Sequence, residues 1–439
     1  MKGLILIYLI TAFGSVAALR LPVIGLAIYV GFAVLRPQFI WGFAGDFGGI
    51  SLWIGVATLI GWAFNGFGSL RIGRGRFIAL ALALFGVWAT ISATQAVNTD
   101  VARAELENMA KYIMPFLIGI TLIDSERWSR VIMWVIVGCQ GYVGFEQNLD
   151  YLKGYNFAGE GFGGLDNNCF GVGLVATIGP ALALMLGAKS WRERAIAATC
   201  AALILHTTLL TFSRGALVGL LVVGVTAFVI MPKRPKYIAV LVVTALIAIR
   251  LTGPELAARY ATAMAAEEQR DESAESRIDL WRDCLRVVQA NPVFGVGPGN
   301  FKVIAASLGW PSGKQAHTTW LQTAAENGAP GGVLLLLVFA TAIVKLWPLA
   351  RAQITEANRY EVAMASGIIM CIVGFMVAGQ FVSLGGLELP YYATMVGVAL
   401  LKEKPSPVPV PASSSRFSPG YHLSPAGPGQ PAMARPGRG

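Results

Sequence analysis

The chain has 439 residues, of which 55% are hydrophobic and 13% charged, and its mean hydropathy is +0.61. Soluble domains carry roughly 25% charged residues, and a chain this apolar cannot cover its core with polar surface. An ordinary soluble globular protein is therefore excluded. The apolar runs are too long for barrel strands and lack period-two alternation, which excludes a β-barrel. Helices remain, because backbone polar groups in lipid must be satisfied within their own segment. The chain reads as an all-α polytopic membrane protein. Its net charge of +10 falls mainly in short loops between apolar runs, where Lys and Arg act as topology signals and not as a nucleic-acid footprint. Cys139, Cys169, Cys200, Cys284 and Cys371 are scattered, without C-x-x-C or metal-ligand spacing, so neither a disulfide framework nor a zinc site is expected.

In chain order, the apolar runs cover 3–19, 21–36, 50–66, 77–94, 110–123, 129–147, 169–187, 195–212, 214–231, 236–251, 320–346, 361–382 and 386–401. At about 20 residues per span they give about 12 or 13 transmembrane helices. The first run resembles a signal peptide but is followed at once by further apolar segments, so it reads as a retained helix. The first two runs are short, and one of them is a candidate re-entrant segment. The basic or mixed loops 71–76, 124–130, 189–194, 233–236 and 345–359 belong in the cytoplasm by the positive-inside rule. The loops 95–109 and 148–168, the turn at Ser213 and the stretch 252–318 then face outward. The last is the one large hydrophilic segment between spans, and loops of that size are usually functional. Four parts follow: N-terminal helices over 1–251, an extracytoplasmic loop over 252–318, C-terminal helices over 319–402, and a Pro/Ser/Gly-rich tail over 403–439 that reads as disordered and cytoplasmic.

The residues able to do chemistry lie on the outward side. The stretch 195–230 is too long for one span and predicts two helices joined at Thr211-Phe212-Ser213-Arg214-Gly215. An arginine at that depth either snorkels to the headgroups or grips an anion, for which its bidentate fork suits phosphate. In the outer loop, Ile278, Trp281, Leu285 and Val288 share one helical face; Arg277 borders it, while Asp279 and Arg286 point away. The alternating glycines Gly295, Gly297 and Gly299, followed by Asn300, allow a tight turn whose N–H groups suit an anion. Their spacing is not that of a dinucleotide fingerprint. His206 lies inside a span and reads as a packed structural residue; His422 lies in the tail. His317 stands where the outer loop re-enters the membrane, and imidazole is the natural general base near neutral pH. Glu326 either orients a partner or caps a turn before Asn327-Gly328-Ala329-Pro330. The acidic run Glu267, Glu268, Asp271, Glu272 and Glu275 lacks cation-loop spacing and reads as a solvated helical face.

The ordered set Arg277, Trp281, Asn291-Pro292, Gly295 to Phe301, Ala316-His317, Leu321-Gln322, Glu326-Asn327-Gly328 and Gly331 resembles the O-antigen ligase/polymerase family signature. The segments Phe212 to Ala216 and Asp166-Asn167-Asn168 resemble earlier blocks of that family. Leu35-Arg36-Pro37-Gln38 is similar to a subgroup, the O-glycosylation ligases associated with exosortase A systems. Thr318 departs from the pattern, since Asn commonly follows the histidine. The resemblance implies a GT-C-like membrane glycosyltransferase with no metal or other cofactor. The donor would be a glycan on undecaprenyl diphosphate at the outer face of a bacterial inner membrane, and the acceptor a protein Ser/Thr, a lipid or a polysaccharide. It implies that Arg214 and Arg277 grip the diphosphate and that His317 lies beside the attacking hydroxyl, as its base or to position the acceptor. Asn168, Gly297, Gly299, Asn300 and Glu326 would complete the binding site. Membrane lipids are expected partners and nucleic acid is not.

Such a reaction leaves negative charge on the departing diphosphate, which two fixed guanidiniums stabilise without a divalent ion. Attack opposite the leaving group would invert the anomeric centre. A polymerase of the same chemistry is the neighbouring alternative. A non-enzymatic transporter would need ionisable residues along a path near the bilayer midplane, whereas here they gather at the outer face.

Overall fold

The computed structural model describes residues 2–42, 49–230, 250, 272–383 and 387–402. The expected span 236–251 (except residue 250), the basic loop 233–236, residues 252–271 of the outer loop with Glu267, Glu268 and Asp271, and the tail with His422 lie outside the described residues. The protein is an all-α polytopic membrane protein. Fifteen α-helices and no strand occur among the described residues, with one isolated bridge between Phe162 and Leu165. The helices are α1 (Lys2–Arg20), α2 (Pro22–Leu35), α3 (Pro37–Trp41), α4 (Ile50–Phe64), α5 (Arg76–Ala93), α6 (Thr99–Leu122), α7 (Glu126–Leu152) and α8 (Asn167–Leu186). There follow α9 (Trp191–Leu210), α10 (Arg214–Ile230), α11 (Glu272–Ala290), α12 (Phe301–Ile304), α13 (Thr319–Ala350), α14 (Arg359–Ala378) and α15 (Leu389–Leu400). Six segments, at α1, α5, α8, α9, α13 and α14, are long and apolar enough to cross a membrane, and α2, α4, α10 and α15 are shorter apolar helices.

One expected boundary moves. The outer loop 95–109 is mostly helix, because α6 starts at Thr99. The Asn98 side chain caps it by accepting the N–H groups of Asp100 and Val101 at 3.0 and 3.1 Å. Asp100 then favours the positive end of the helix dipole. Hydropathy could not register this turn because its face is charged.

The centre of the molecule is α8 packed on α14. Small residues allow the approach: a Cβ on Gly179 or on Gly367 would run into the other residue's backbone. In lipid, where apolar surface gains little by leaving the solvent, such close backbone packing holds helices together. Beside it an aromatic cluster fills the core, with Phe339 and Phe375 at 5.1 Å and Tyr112 stacked on Tyr391 at 4.2 Å.

The connecting loops sort into two ends. At one end, Lys189 and Arg130 pair with Glu126 at 3.2 and 3.0 Å, and Arg130 lies 4.2 Å over the Tyr360 ring. Lys402 donates to the Ile123 carbonyl at 2.6 Å, and Lys345 sits 5.4 Å over Phe77. These are the basic loops that charge assigns to the cytoplasm. At the opposite end, the loop before α6 meets the glycine turn, with Val97 donating to the Val296 carbonyl and the Asn98 N–H to Asn300 Oδ1. The candidate chemistry lies at this second end.

Candidate active site

The stretch 195–230 folds as the expected helical hairpin. Its turn is tight enough to put Phe212 in the left-handed region at φ 53°. Ser213 caps α10 by accepting the Ala216 N–H at 3.2 Å, while its own hydroxyl donates to Asn168 Oδ1 at 2.9 Å. Asn167 donates to the Thr211 carbonyl at 3.0 Å. Asn168 therefore anchors the turn that carries Arg214, and Arg214 itself is exposed.

The outer-loop helix α11 forms, but its buried face is out of phase with the expected one. Leu280, Cys284 and Val287 are buried, whereas Ile278 and Leu285 are 46% and 48% exposed. Asp283 is buried on that face because its carboxylate accepts from the Trp310 indole at 2.8 Å and from Arg286 at 2.7 Å. A satisfied carboxylate can be buried, so polarity alone misplaced the stripe. The shift brings Arg277 nearer the interior: it lies in line with Trp281, Cys284 and Val288 at helical spacing. Trp281 contacts Phe381 with ring centroids 6.4 Å apart, and Phe381 packs on Gly215. The two arginine-bearing elements thus share one partner.

The glycine turn adopts the expected conformation, with φ of 68°, 97° and 68° at Gly295, Gly297 and Gly299. Its N–H groups nevertheless hold the protein's own chain. Gly297 donates to the Glu326 carbonyl at 2.8 Å. The Glu326 carboxylate accepts from Gly299 at 3.0 Å, Phe301 at 3.2 Å and the Gln322 side chain at 2.9 Å. Asn300 is fully buried and bonded to Asn98 and to the Pro298 carbonyl. The acceptor in this cradle is therefore the Glu326 side chain, and Gly297, Gly299, Asn300 and Glu326 act together as a scaffold. They hold the turn together, and Gly299 and Glu326 also line the polar cavity beside it. The helix breaks just beyond, at Gly328 with φ 70° and ψ 174°, where the sequence places its stop signal.

His317 lies beside this scaffold, tied to it through Ser383 and Gln322. It is half-buried and left-handed, at φ 52°. Its backbone N–H donates to Ser383 Oγ at 2.9 Å, and no hydrogen bond to its ring occurs among the described residues. Burial pushes the imidazole pKa below its ordinary value, the charges of Arg277 and Lys314 push it further, and Asp166 opposes them. The ring is thus within electrostatic reach of Arg277 and of the N-cap of α8. A polar cavity of about 90 Å³ lies alongside, lined by Glu105, Lys302, Gln315, Gln322, Glu326 and Ser383 among others. Among the described residues no group of three His, Cys, Asp or Glu side chains is arranged to hold a metal ion.

Residues 199–336 match the family model described as O-antigen ligase. The match supports that family and a membrane enzyme of the O-antigen ligase kind. The matched segment includes Arg214, Arg277, the glycine turn, His317 and Glu326; Asn168 lies before it. No curated protein matches the chain.

Three contributors have no individual role that the sequence alone discloses. Ser383 and Gln322 hold the backbone at His317. Arg36 joins the α2–α3 break to the outer loop through the Gly163 carbonyl and pairs with Glu388 at 3.6 Å. The signal for this pair was present: ionisable residues within apolar runs are costly and call for a named partner.

Proposed function

We propose that the chain is a metal-independent, inverting glycosyltransferase that moves a glycan from undecaprenyl diphosphate to an acceptor hydroxyl. The reaction would take place at the outer face of a bacterial inner membrane. The observation that carries this reading is a half-buried His317 whose ring is unbonded among the described residues, with its pKa lowered by burial first and by the Arg277 charge second. A depressed pKa keeps the imidazole neutral at neutral pH, as a general base requires. The acceptor O–H gives its proton to His317 as its oxygen attacks the anomeric carbon. The bond from that carbon to the phosphate oxygen breaks, and undecaprenyl diphosphate leaves with the electron pair. Arg214 and Arg277 stabilise the charge that develops there, through charge-assisted hydrogen bonds. Asn168 and the scaffold around Glu326 fix the turn and the loop from which these side chains project.

The test is transfer in vitro by purified full-length protein from an undecaprenyl diphosphate-linked glycan in the presence of EDTA. Wild type is run beside His317→Ala, Arg214→Ala and Arg277→Ala, each checked for folding. Activity of wild type despite EDTA, lost in all three variants, is expected. Full activity in His317→Ala would overturn the general-base role. Transfer only to a second lipid-linked repeat would make the enzyme a polymerase.

A further inference from the structure

We propose that Gln322 and Ser383 are positioning residues that clamp the backbone of His317, with Glu326 in the glycine turn as their anchor. The inference rests on the reading of His317 as the base but concerns residues to which that reading gives no part.

The network is continuous. The Ala316 N–H donates to Gln322 Oε1 at 3.1 Å, and the next N–H, of His317, donates to Ser383 Oγ at 2.9 Å. The Ser383 hydroxyl in turn donates to Gln322 Oε1. One amide oxygen thus accepts from the Ala316 N–H directly and from the Ser383 hydroxyl that holds the His317 N–H. The other end of that amide, Nε2, donates to Glu326 at 2.9 Å, and Glu326 is held by the Gly299 and Phe301 N–H groups. The partners leave the amide one orientation, oxygen toward the two donors and nitrogen toward the carboxylate. Next to it, Thr319 Oγ1 donates to the Val382 carbonyl at 2.9 Å, which ties the start of α13 to the same 382–383 segment.

The clamp has a reason to exist. A non-glycine residue in the left-handed region persists only where its surroundings over-determine it. Here two consecutive backbone donors are fixed by side chains from two separate segments. The hydrogen bonds fall on the main chain, so the ring is oriented without being engaged. Burial lowers its pKa most, and the charges that act on it come from elsewhere: Arg277 on α11, Lys314 on its own loop and Asp166 at the start of α8. Loosening the clamp lets the ring move out of its half-buried position and away from these charges.

The experiment uses the full chain in lipid nanodiscs with ¹⁵N-histidine. The chain has three histidines, so the His317 signal is assigned by its loss in His317→Ala. Ser383→Ala and Gln322→Leu are compared with Ser383→Thr, which keeps the hydroxyl. An unchanged His206 signal reports an intact fold. The expected result is a rise of the His317 titration midpoint toward the ordinary value of about 6.5 in Ser383→Ala and Gln322→Leu, and none in Ser383→Thr. In the transfer assay the same two variants lose about tenfold to a hundredfold in kcat, with KM for the donor within about twofold. A midpoint unmoved in both variants overturns the clamp, even if His317→Ala is inactive. A raised KM with unchanged kcat also overturns it, since the residues would then bind substrate. If His317→Ala proves fully active, the base reading fails, and the titration still decides whether the clamp exists.

Discussion

The fold holds its two described histidines by opposite parts of the residue. His206, inside α9, is held by its ring: Nδ1 pairs with the Asn148 side chain, and the imidazole meets Tyr151 edge-on at 5.7 Å. Asn148 is itself tied to Thr207 at 2.8 Å and to the Gly144 carbonyl. His317 is held by its backbone, and its ring makes no hydrogen bond among the described residues. A ring used for packing is a structural element. A ring left unbonded among the described residues, on a backbone that is itself fixed, has its reactive atoms free for another molecule.

The contrast can be broken most sharply by deletion. His317→Ala should lower transfer by about 10²–10⁴-fold, the usual contribution of a general base, as read by product formation. Next in size is the scaffold. A Cβ on Gly328 would collide with the Val293 carbonyl, in a backbone region open essentially to glycine alone. Gly328→Ala should therefore destabilise the fold by roughly 3 kcal/mol or more, seen as a lower unfolding temperature with activity lost in parallel. A smaller effect concerns pH. The neutral imidazole is the working form, so activity rises with pH through the His317 pKa. Arg277→Gln removes a charge that disfavours the imidazolium, so the His317 pKa rises, read from its ¹⁵N titration midpoint because transfer itself is lost with the guanidinium. Asp166→Asn removes the opposing influence and should move the midpoint the other way. The smallest effect belongs to the other histidine. His206→Leu should cost about 1 kcal/mol of stability, one hydrogen bond, and leave transfer unchanged. If it abolishes transfer in a folded protein, the contrast between the two rings fails.

Much of this was legible in the sequence for identifiable reasons. Apolar run length gave the helices, and Ser213 beside Arg214 marked the hairpin turn. The Asn327-Gly328-Ala329-Pro330 stop signal coincides with the break in α13. The position of His206 inside a span already argued for a packed ring. The residue pattern could not give the partner of the glycine turn. A string of glycines declares that N–H groups will converge but is silent on which acceptor they meet, and Glu326 answers from 27 residues away. The face of α11 was misjudged for a related reason, because Asp283 is buried by virtue of Trp310, which periodicity does not know. Ser383 was invisible altogether: a serine between two apolar runs becomes informative only when His317 is seen beside it.

The contact between His317 and Ser383 also bears on how the protein is made. The chain emerges from the ribosome N-terminus first, and Ser383 follows His317 by 66 residues, with α13 and α14 in between. A nascent chain that has delivered Arg214, Arg277 and His317 still lacks the hydroxyl that fixes the last of them. The contact is therefore completed only after α14 has been synthesised, so biogenesis itself delays the moment at which His317 is set in place.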